Sequence, residues 1–70
     1  MTNDELDSLM LRCVRASRGG IVLEDFAANN RVTERKALYA ADRLAERDLV
    51  HVTTKCRREG WRLVHELEKP

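Results

Sequence analysis

Cationic side chains between residues 31 and 43 recur at spacings that group them on one side of an α-helix. Lys36, Tyr39 and Arg43 are separated by three and four residues and form one row, with Arg35 beside that row. Arginine can donate two hydrogen bonds to O6 and N7 of guanine, and lysine can donate to guanine or to a phosphate. The pattern favours recognition of a polyanion, and the alternative is a solvated helix face with ordinary i,i+4 contacts.

A second group of cations lies near Gly60, where the sequence predicts the turn of a β-hairpin. Lys55, Arg57 and Arg58 place three cations within four positions, more than an average polar turn carries. Such a turn can contact a DNA backbone or place an arginine in a narrow minor groove. Arg31, just before the cationic helix, is a further candidate for a phosphate contact. For both groups the alternative is an ordinary exposed surface.

The distribution of charge along the chain is more informative than its total. The whole chain has 13 Lys and Arg against 12 Asp and Glu, a formal net charge of +1, which excludes a binder held by bulk positive charge. Residues 31–62 nevertheless hold nine cations against five acids, a net charge of +4, whereas residues 1–30 have a net charge of −2. The positive half of the chain is therefore the cationic helix together with the hairpin.

Residues that could support catalysis lack the partners that catalysis needs. Ser8 and Ser17 have no paired base, and the chain contains no G-x-S-x-G, P-loop or dinucleotide-binding motif. A chain of 70 residues also has little room for both a core and a substrate pocket. The sequence predicts no enzyme activity.

Potential metal ligands are few and irregularly spaced. His51, Cys56 and His65 show neither C-x-x-C nor H-x-x-x-H spacing, and the expected hairpin pairing places His51 and His65 on opposite faces. We therefore expect no metal and no cofactor. Cys56 lies between Lys55 and Arg57, which favour a thiolate, so a redox-sensing cysteine stays open as an alternative.

The composition is typical of one small folded domain covering residues 1–70. The chain is 43% hydrophobic and 36% charged, and its longest apolar run covers only residues 37–41. The polar, acidic opening with Asp4 and Glu5 does not resemble a signal peptide. Two cysteines without a secretory signal indicate a reducing compartment. We expect a cytoplasmic protein without a membrane contact.

The first half of the chain predicts two helices separated by a stub strand. Thr2 and Glu5 form a capping box that begins helix one, and two glycines at 19 and 20 end it. Its apolar stripe consists of Leu6, Leu9, Met10, Cys13 and Val14. Residues 21–23 form the stub, Glu24 and Asp25 open helix two, and Phe26 belongs to the core. The asparagines at 29 and 30 are expected to take the left-handed conformation after that helix.

The second half predicts a third helix and a hairpin. Thr33 is the expected N-cap of helix three, and its apolar face consists of Ala37, Ala40, Ala41, Leu44 and Ala45. The helix is expected to end near Asp48. Residues 50–54 and 61–67 alternate as two strands, and we expect one face of the hairpin to pack on the core. That face is predicted to hold Val50, Val52, Trp61 and Leu63.

This order of elements, together with the segment from Phe26 to Val50, resembles the winged helix-turn-helix superfamily of bacterial and phage regulators. The end of helix three, Ala41-x-x-Leu44-x-x-x-Asp48-Leu49-Val50, is similar to the L-x-x-L-x-x-x-G-L-V ending of many such regulators. Asp48 replaces the usual glycine, and aspartate also tolerates the left-handed conformation. The resemblance implies an α+β fold: three helices, a stub strand after helix one and a two-stranded β-hairpin wing.

The resemblance also implies sequence-specific binding of double-stranded DNA by a transcriptional regulator. Helix three would enter the major groove by its N-terminal end, and the wing would hold the backbone or the minor groove. One small module covers little DNA, so we expect a homodimer on a two-fold site. The residues expected to contact DNA are Arg31, Thr33, Glu34, Arg35, Lys36, Tyr39, Arg43, Lys55, Arg57 and Arg58.

A second class of function is compatible with the same fold. Glu34, Asp42 and Glu46 interrupt the basic face of helix three, and the total charge is nearly neutral. Both features suit a protein partner, because a fold does not determine its function. The alternative is a protein–protein interaction module or small inhibitor that reuses the winged helix fold.

Overall fold

Three helices and three short strands make up the computed structural model, which describes residues 1–54 and 61–67. The helices are α1 (Asn3–Ala16), α2 (Leu23–Asn29) and α3 (Glu34–Glu46). The strands are β1 (Ile21–Val22), β2 (Val50–Thr53) and β3 (Leu63–Glu66). Together they form a small α+β fold with one antiparallel sheet in the order β1-β3-β2.

The capping box predicted for α1 is confirmed. The Glu5 backbone N–H donates to the Thr2 hydroxyl oxygen at 3.2 Å, and the Glu5 carboxylate accepts from the Thr2 backbone N–H at 3.2 Å. The bond from the Thr2 N–H, together with one that the Thr2 hydroxyl donates to the same carboxylate at 3.0 Å, favours the ionised form and holds the pKa of Glu5 below its ordinary value. The helix ends at Ala16, and the N–H of Ser17 donates to the carbonyls of Cys13 and Val14.

The start of α2 differs from the prediction and depends on a distant segment. The helix begins at Leu23, before Glu24, and no side chain caps it. Instead, the Leu23 N–H donates to the Arg62 carbonyl at 2.9 Å, and the Arg62 N–H donates to the Glu24 carboxylate at 2.7 Å. Glu24 is buried, with 8% of its surface exposed, and the Arg62 guanidinium lies 3.8 Å from its carboxylate.

The turn between α2 and α3 is tight, and Arg31 adopts the left-handed conformation in it. Its φ is 55°, so the prediction that asparagine would occupy this position is wrong. Asn30 instead has a φ of −106°, and its side-chain amide donates to the Phe26 carbonyl at 2.9 Å, closing the end of α2. The N-cap prediction for α3 is confirmed, since the Thr33 hydroxyl accepts from the Lys36 N–H at 3.1 Å.

The sheet has a different register from the one predicted for the hairpin. Val52 pairs with Val64, and His51 pairs with His65, so each pair lies on one face of the sheet. Val64 is fully buried, whereas Leu63 and Trp61 are only partly buried. The predicted core face was therefore wrong for Leu63 and Trp61. The physical reason is that a pairing shifted by one residue moves every side chain of a strand to the other face.

The core lies where α3 crosses α1 and α2 above the sheet. Its members are the buried apolar side chains Leu6, Met10, Val14, Leu23, Phe26, Ala27, Ala37, Ala40, Ala41, Leu44, Val50 and Val64. The predicted stripe of α1 and face of α3 supply most of them, although Leu9, Cys13 and Ala45 are only partly buried. The alanines of α3 let neighbouring helices approach closely. The core thus fixes which face of α3 points outward.

Candidate nucleic-acid interface

The buried face of α3 determines which of its side chains point outward. Ala37, Ala40, Ala41 and Leu44 form the buried stripe. At 3.6 residues per turn, the side chains on the opposite side are Arg35, Tyr39, Asp42 and Glu46, and all four are exposed. The outward face is therefore cationic near the beginning of the helix and acidic near its end.

The N-terminal end of α3 collects four of the predicted site residues. Thr33, Glu34, Arg35 and Lys36 are all exposed in the first turn. The unpaired backbone N–H groups of a helix N-terminus carry a partial positive charge, which favours anions there. The cationic side chains and the helix end therefore both attract anions. Glu34 is the one acid in this turn and opposes that attraction.

Arg31 lies next to this helix end across a groove. The groove has a volume of about 340 Å³, and Arg31, Thr33 and Lys36 line it together with the start of α1. The left-handed backbone of Arg31 is uncommon for a side chain of this size, and such conformations concentrate at functional positions. The structure thus brings Arg31, Thr33 and Lys36 together around one polar concavity.

Tyr39 extends the same surface by one helical turn beyond Arg35. Its side chain is 53% exposed, the largest exposure of any aromatic residue in the described chain. Within residues 1–54 and 61–67 its hydroxyl has no hydrogen-bond partner. A hydroxyl in this position can donate to a phosphate oxygen.

Arg43, also predicted to contact DNA, lies against α1. Its Nε donates to Oδ2 of Asp7 at 2.9 Å and its Nη2 donates to Oδ1 at 2.7 Å, a bidentate pair. The pair raises the pKa of Arg43, chiefly through the hydrogen bonds to Asp7. Asp7 is buried, with 8% of its surface exposed. The guanidinium therefore holds α3 to α1 and is not available on the outward face.

The sequence contains one indication that Asp7 needs a cationic partner, although the helical pattern does not identify that partner. Asp7 lies at i−3 from Met10 and at i−7 from Val14, inside the apolar stripe of α1. An acid in such a stripe needs a cation to compensate its burial. Its partner is 36 residues away, so only the fold identifies it.

Two of the cations between residues 31 and 62 are thus committed to internal pairs. Among the described residues, Arg43 pairs with Asp7 and Arg62 pairs with Glu24. Within the same described part of the chain, Arg31, Arg35 and Lys36 form no ion pair. Among the described residues, three of the unpaired cations in this part of the chain lie at or beside the beginning of α3, and Arg47 follows its end.

The cations of the predicted hairpin turn, Lys55, Arg57 and Arg58, lie outside the described residues, as does Cys56. Thr53 and Leu63 pair directly at the ends of β2 and β3. The described residues on either side of these cations are therefore neighbours across the sheet.

Clusters of metal-binding side chains and membrane-spanning helices are two other features of the described ranges that would bear on function. Across residues 1–54 and 61–67, no group of three or more His, Cys, Asp or Glu side chains is arranged to hold a metal ion. In the same ranges, no helix has both the length and the apolar character needed to cross a membrane.

Comparison of the chain with models of protein families, with curated proteins and with solved structures found no match.

Proposed function

We propose that this chain is a winged helix-turn-helix domain that binds double-stranded DNA in a sequence-specific manner as a transcriptional regulator. The observation that carries the proposal is the exposed cationic end of α3. Arg35 and Lys36 lie in its first turn, Arg31 lies across the adjoining groove, and none of the three has an ion-pair partner in the described chain. The order α1, β1, α2, α3, β2, β3 is the order expected for this fold class.

The dimensions and charges of α3 suit entry into the major groove by its N-terminal end. A helix of 13 residues is about 20 Å long, and the major groove admits an α-helix. In this orientation Arg35 reaches base edges, while Lys36, Thr33 and Arg31 contact phosphates. Tyr39 lies one turn further along and contacts the backbone.

The acidic end of the same face favours this orientation over its reverse. Asp42 and Glu46 follow Tyr39 along the outward face of α3. Carboxylates close to phosphates are repelled, so the C-terminal half of the helix points away from the backbone. Glu34, at the leading end, is a candidate acceptor from the N4 amino group of cytosine.

The wing supplies the remaining contacts in this proposal. Lys55, Arg57 and Arg58 lie between β2 and β3 in the sequence and would contact phosphates or the minor groove beside the helix. With Arg31, Arg35 and Lys36, they make six cations in the footprint. Arg43 is left out because Asp7 holds it.

A homodimer on a two-fold site is part of the proposal. The longest dimension of the protein is 33 Å, close to the spacing of about 34–36 Å between the centres of half-sites one helical turn apart, so two copies fit on adjacent half-sites. A single module of this size buries little DNA surface, and two copies supply the specificity that a regulator needs.

The alternative function, a protein-interaction module, has one specific observation in its favour. Tyr39, Asp42 and Glu46 form a continuous exposed row on α3. Tyrosine is enriched at protein interfaces, and a basic partner surface would complement the two acids. The salt dependence of DNA binding separates the two functions.

The test is a fluorescence anisotropy titration with random duplex DNA and with duplexes selected from a random pool. Five cations on phosphates, which are Arg31, Lys36 and the three wing cations, predict a slope of log K against log salt of about −4.5, a roughly 500-fold loss between 50 and 200 mM salt. Selected duplexes should bind at least about 100-fold more tightly than random ones. Absence of binding to any duplex at 50 mM salt would contradict the proposed function and leave the protein-interaction module.

A further inference from the structure

The only two histidines of the chain face each other across the hairpin strands. His51 on β2 and His65 on β3 occupy directly opposite positions. Their ring centroids are 5.2 Å apart, and the ring planes are inclined by 63°. The predicted hairpin pairing placed them on opposite faces, and this placement was one reason for expecting no metal site. The observed register overturns that placement.

The separation of the two rings fits a shared metal ion. A tetrahedral zinc ion binds imidazole nitrogens at about 2.0–2.1 Å, which places the centroids of two bound rings about 5 Å apart. The observed centroid separation is 5.2 Å, so rotation of the two side chains can bring one nitrogen of each ring onto a shared ion. Opposite positions on paired strands also hold both Cβ atoms at a fixed distance, so the site is largely preorganised.

A backbone carbonyl lies beside one nitrogen of the His65 ring. Nδ1 of His65 lies 3.3 Å from the carbonyl oxygen of Glu66. A carbonyl oxygen only accepts hydrogen bonds, so a bond here is donated by the Nδ1–H, and Nε2 is the nitrogen left to face a metal ion. Metal-binding histidines commonly donate their second ring N–H to a backbone carbonyl in this way.

The surroundings of the pair leave room for further ligands. His51 and His65 line a groove of about 550 Å³ together with Ser17 and Gly20, near the C-terminal end of α1. That helix end carries a partial negative charge, which favours a cation. Glu66 also lines the groove, and its carboxylate lies 3.6 Å from the Arg15 guanidinium. Water molecules can complete the coordination.

We propose that His51 and His65 bind a divalent first-row transition metal ion, with water completing the coordination, and that the ion joins β2 to β3. Imidazole ligands select Cu²⁺, Ni²⁺ and Zn²⁺ over Mg²⁺ and Ca²⁺, which prefer oxygen ligands. The ion ties the two strands together two positions away from the Thr53–Leu63 pair, beyond which the sequence carries Lys55, Arg57 and Arg58. This site is independent of the DNA-binding function proposed above.

The test is a calorimetric titration of the full chain with ZnCl₂, with MgCl₂ as the ion control. One Zn²⁺ per chain should bind, and His51→Gln or His65→Gln should each weaken binding at least about tenfold. The matched control is Cys13→Ser with Cys56→Ser, which removes the thiols and should change the affinity less than about twofold. Retention of full affinity in both histidine variants, or loss of binding in the cysteine variant, would overturn the proposal.

A second measurement needs no substitution. Because the chain has two histidines, their ring protons give two identifiable sets of proton NMR signals. Substoichiometric Ni²⁺ should broaden both sets together, since both rings contact one ion. Broadening of a single set would show a monodentate contact and would overturn the shared site.

Discussion

Arg43 is a side chain for which helical spacing predicts a surface position, whereas its bonding partner Asp7 holds it against the neighbouring helix. Helical spacing placed Arg43 in a row with Lys36 and Tyr39. The buried carboxylate of Asp7 turns its guanidinium toward α1 instead. A planar guanidinium can make two parallel bonds to a carboxylate, and lysine cannot.

The first prediction compares Arg43→Lys with Arg47→Lys. Arg43→Lys keeps the charge but loses the bidentate geometry, so we expect a loss of about 1–3 kcal/mol in the free energy of unfolding. Arg47 is exposed and forms no ion pair among the described residues, so Arg47→Lys should change stability by less than about 0.5 kcal/mol. Urea unfolding measures both values. Equal stability of the two variants would contradict the structural role of Arg43.

Local chemistry could be predicted from single residues, and distant pairing could not. The caps at Thr2 and Thr33 and the left-handed Asp48, with a φ of 57°, follow from short-range rules and are confirmed. The bond between Glu24 and Arg62 joins residues 38 apart, so no local spacing reveals it. The same limit explains why the sequence identified the exposed cations of α3 but not which cation was already paired.

At the scale of elements, the close approach of β1 to β3 explains the second of the two glycines that separate α1 from the sheet. Both have a positive φ, 90° at Gly19 and 102° at Gly20. They differ in their surroundings, because a Cβ at Gly19 meets nothing within 4 Å, whereas one at Gly20 would lie 2.5 Å from the carbonyl oxygen of Val64. Gly20 is therefore needed for both conformation and space.

The second prediction follows from this difference. Gly19→Ala should cost about 1–2 kcal/mol, the strain of a left-handed alanine. Gly20→Ala should cost at least about 2 kcal/mol more, because the added methyl group forces β1 away from β3. Chemical denaturation gives both free energies, and amide hydrogen exchange at Ile21 and Val64 locates the damage. A similar cost for the two substitutions would show that close packing at Gly20 is unimportant.

The hairpin illustrates why the elements themselves were easier to predict than their register. Residues 61–67 contain apolar side chains on both faces of the strand, so alternation alone did not select one pairing. β1 joins β3 through Ile21 opposite Val64, which makes β3 the central strand and buries Val64. The pairing of β1 with β3 thus determines which register the hairpin adopts, and that register places His51 opposite His65.

At the scale of the whole molecule, the distribution of charge matters more than the net charge of +1. Internal pairing occupies Arg43 and Arg62, while Arg31, Arg35 and Lys36 remain exposed or line the groove at the beginning of α3. Among the described residues, unpaired cations thus cluster at the beginning of α3, in a chain whose net charge is close to zero. In the function proposed above, such a cluster would orient a nucleic acid, whereas a uniform charge would only attract it.

The most direct test of this account compares two double substitutions that change the net charge equally. Arg35→Glu with Lys36→Glu reverses the charges at the beginning of α3, and Arg12→Glu with Arg18→Glu reverses two exposed arginines of the α1 segment. Anisotropy titrations with a selected duplex at about 100 mM salt compare the two variants, after circular dichroism confirms that both fold. The account predicts an affinity loss of at least about 100-fold for the α3 variant and less than about fivefold for the α1 variant. Equal losses in the two variants, or none in the α3 variant, would contradict it.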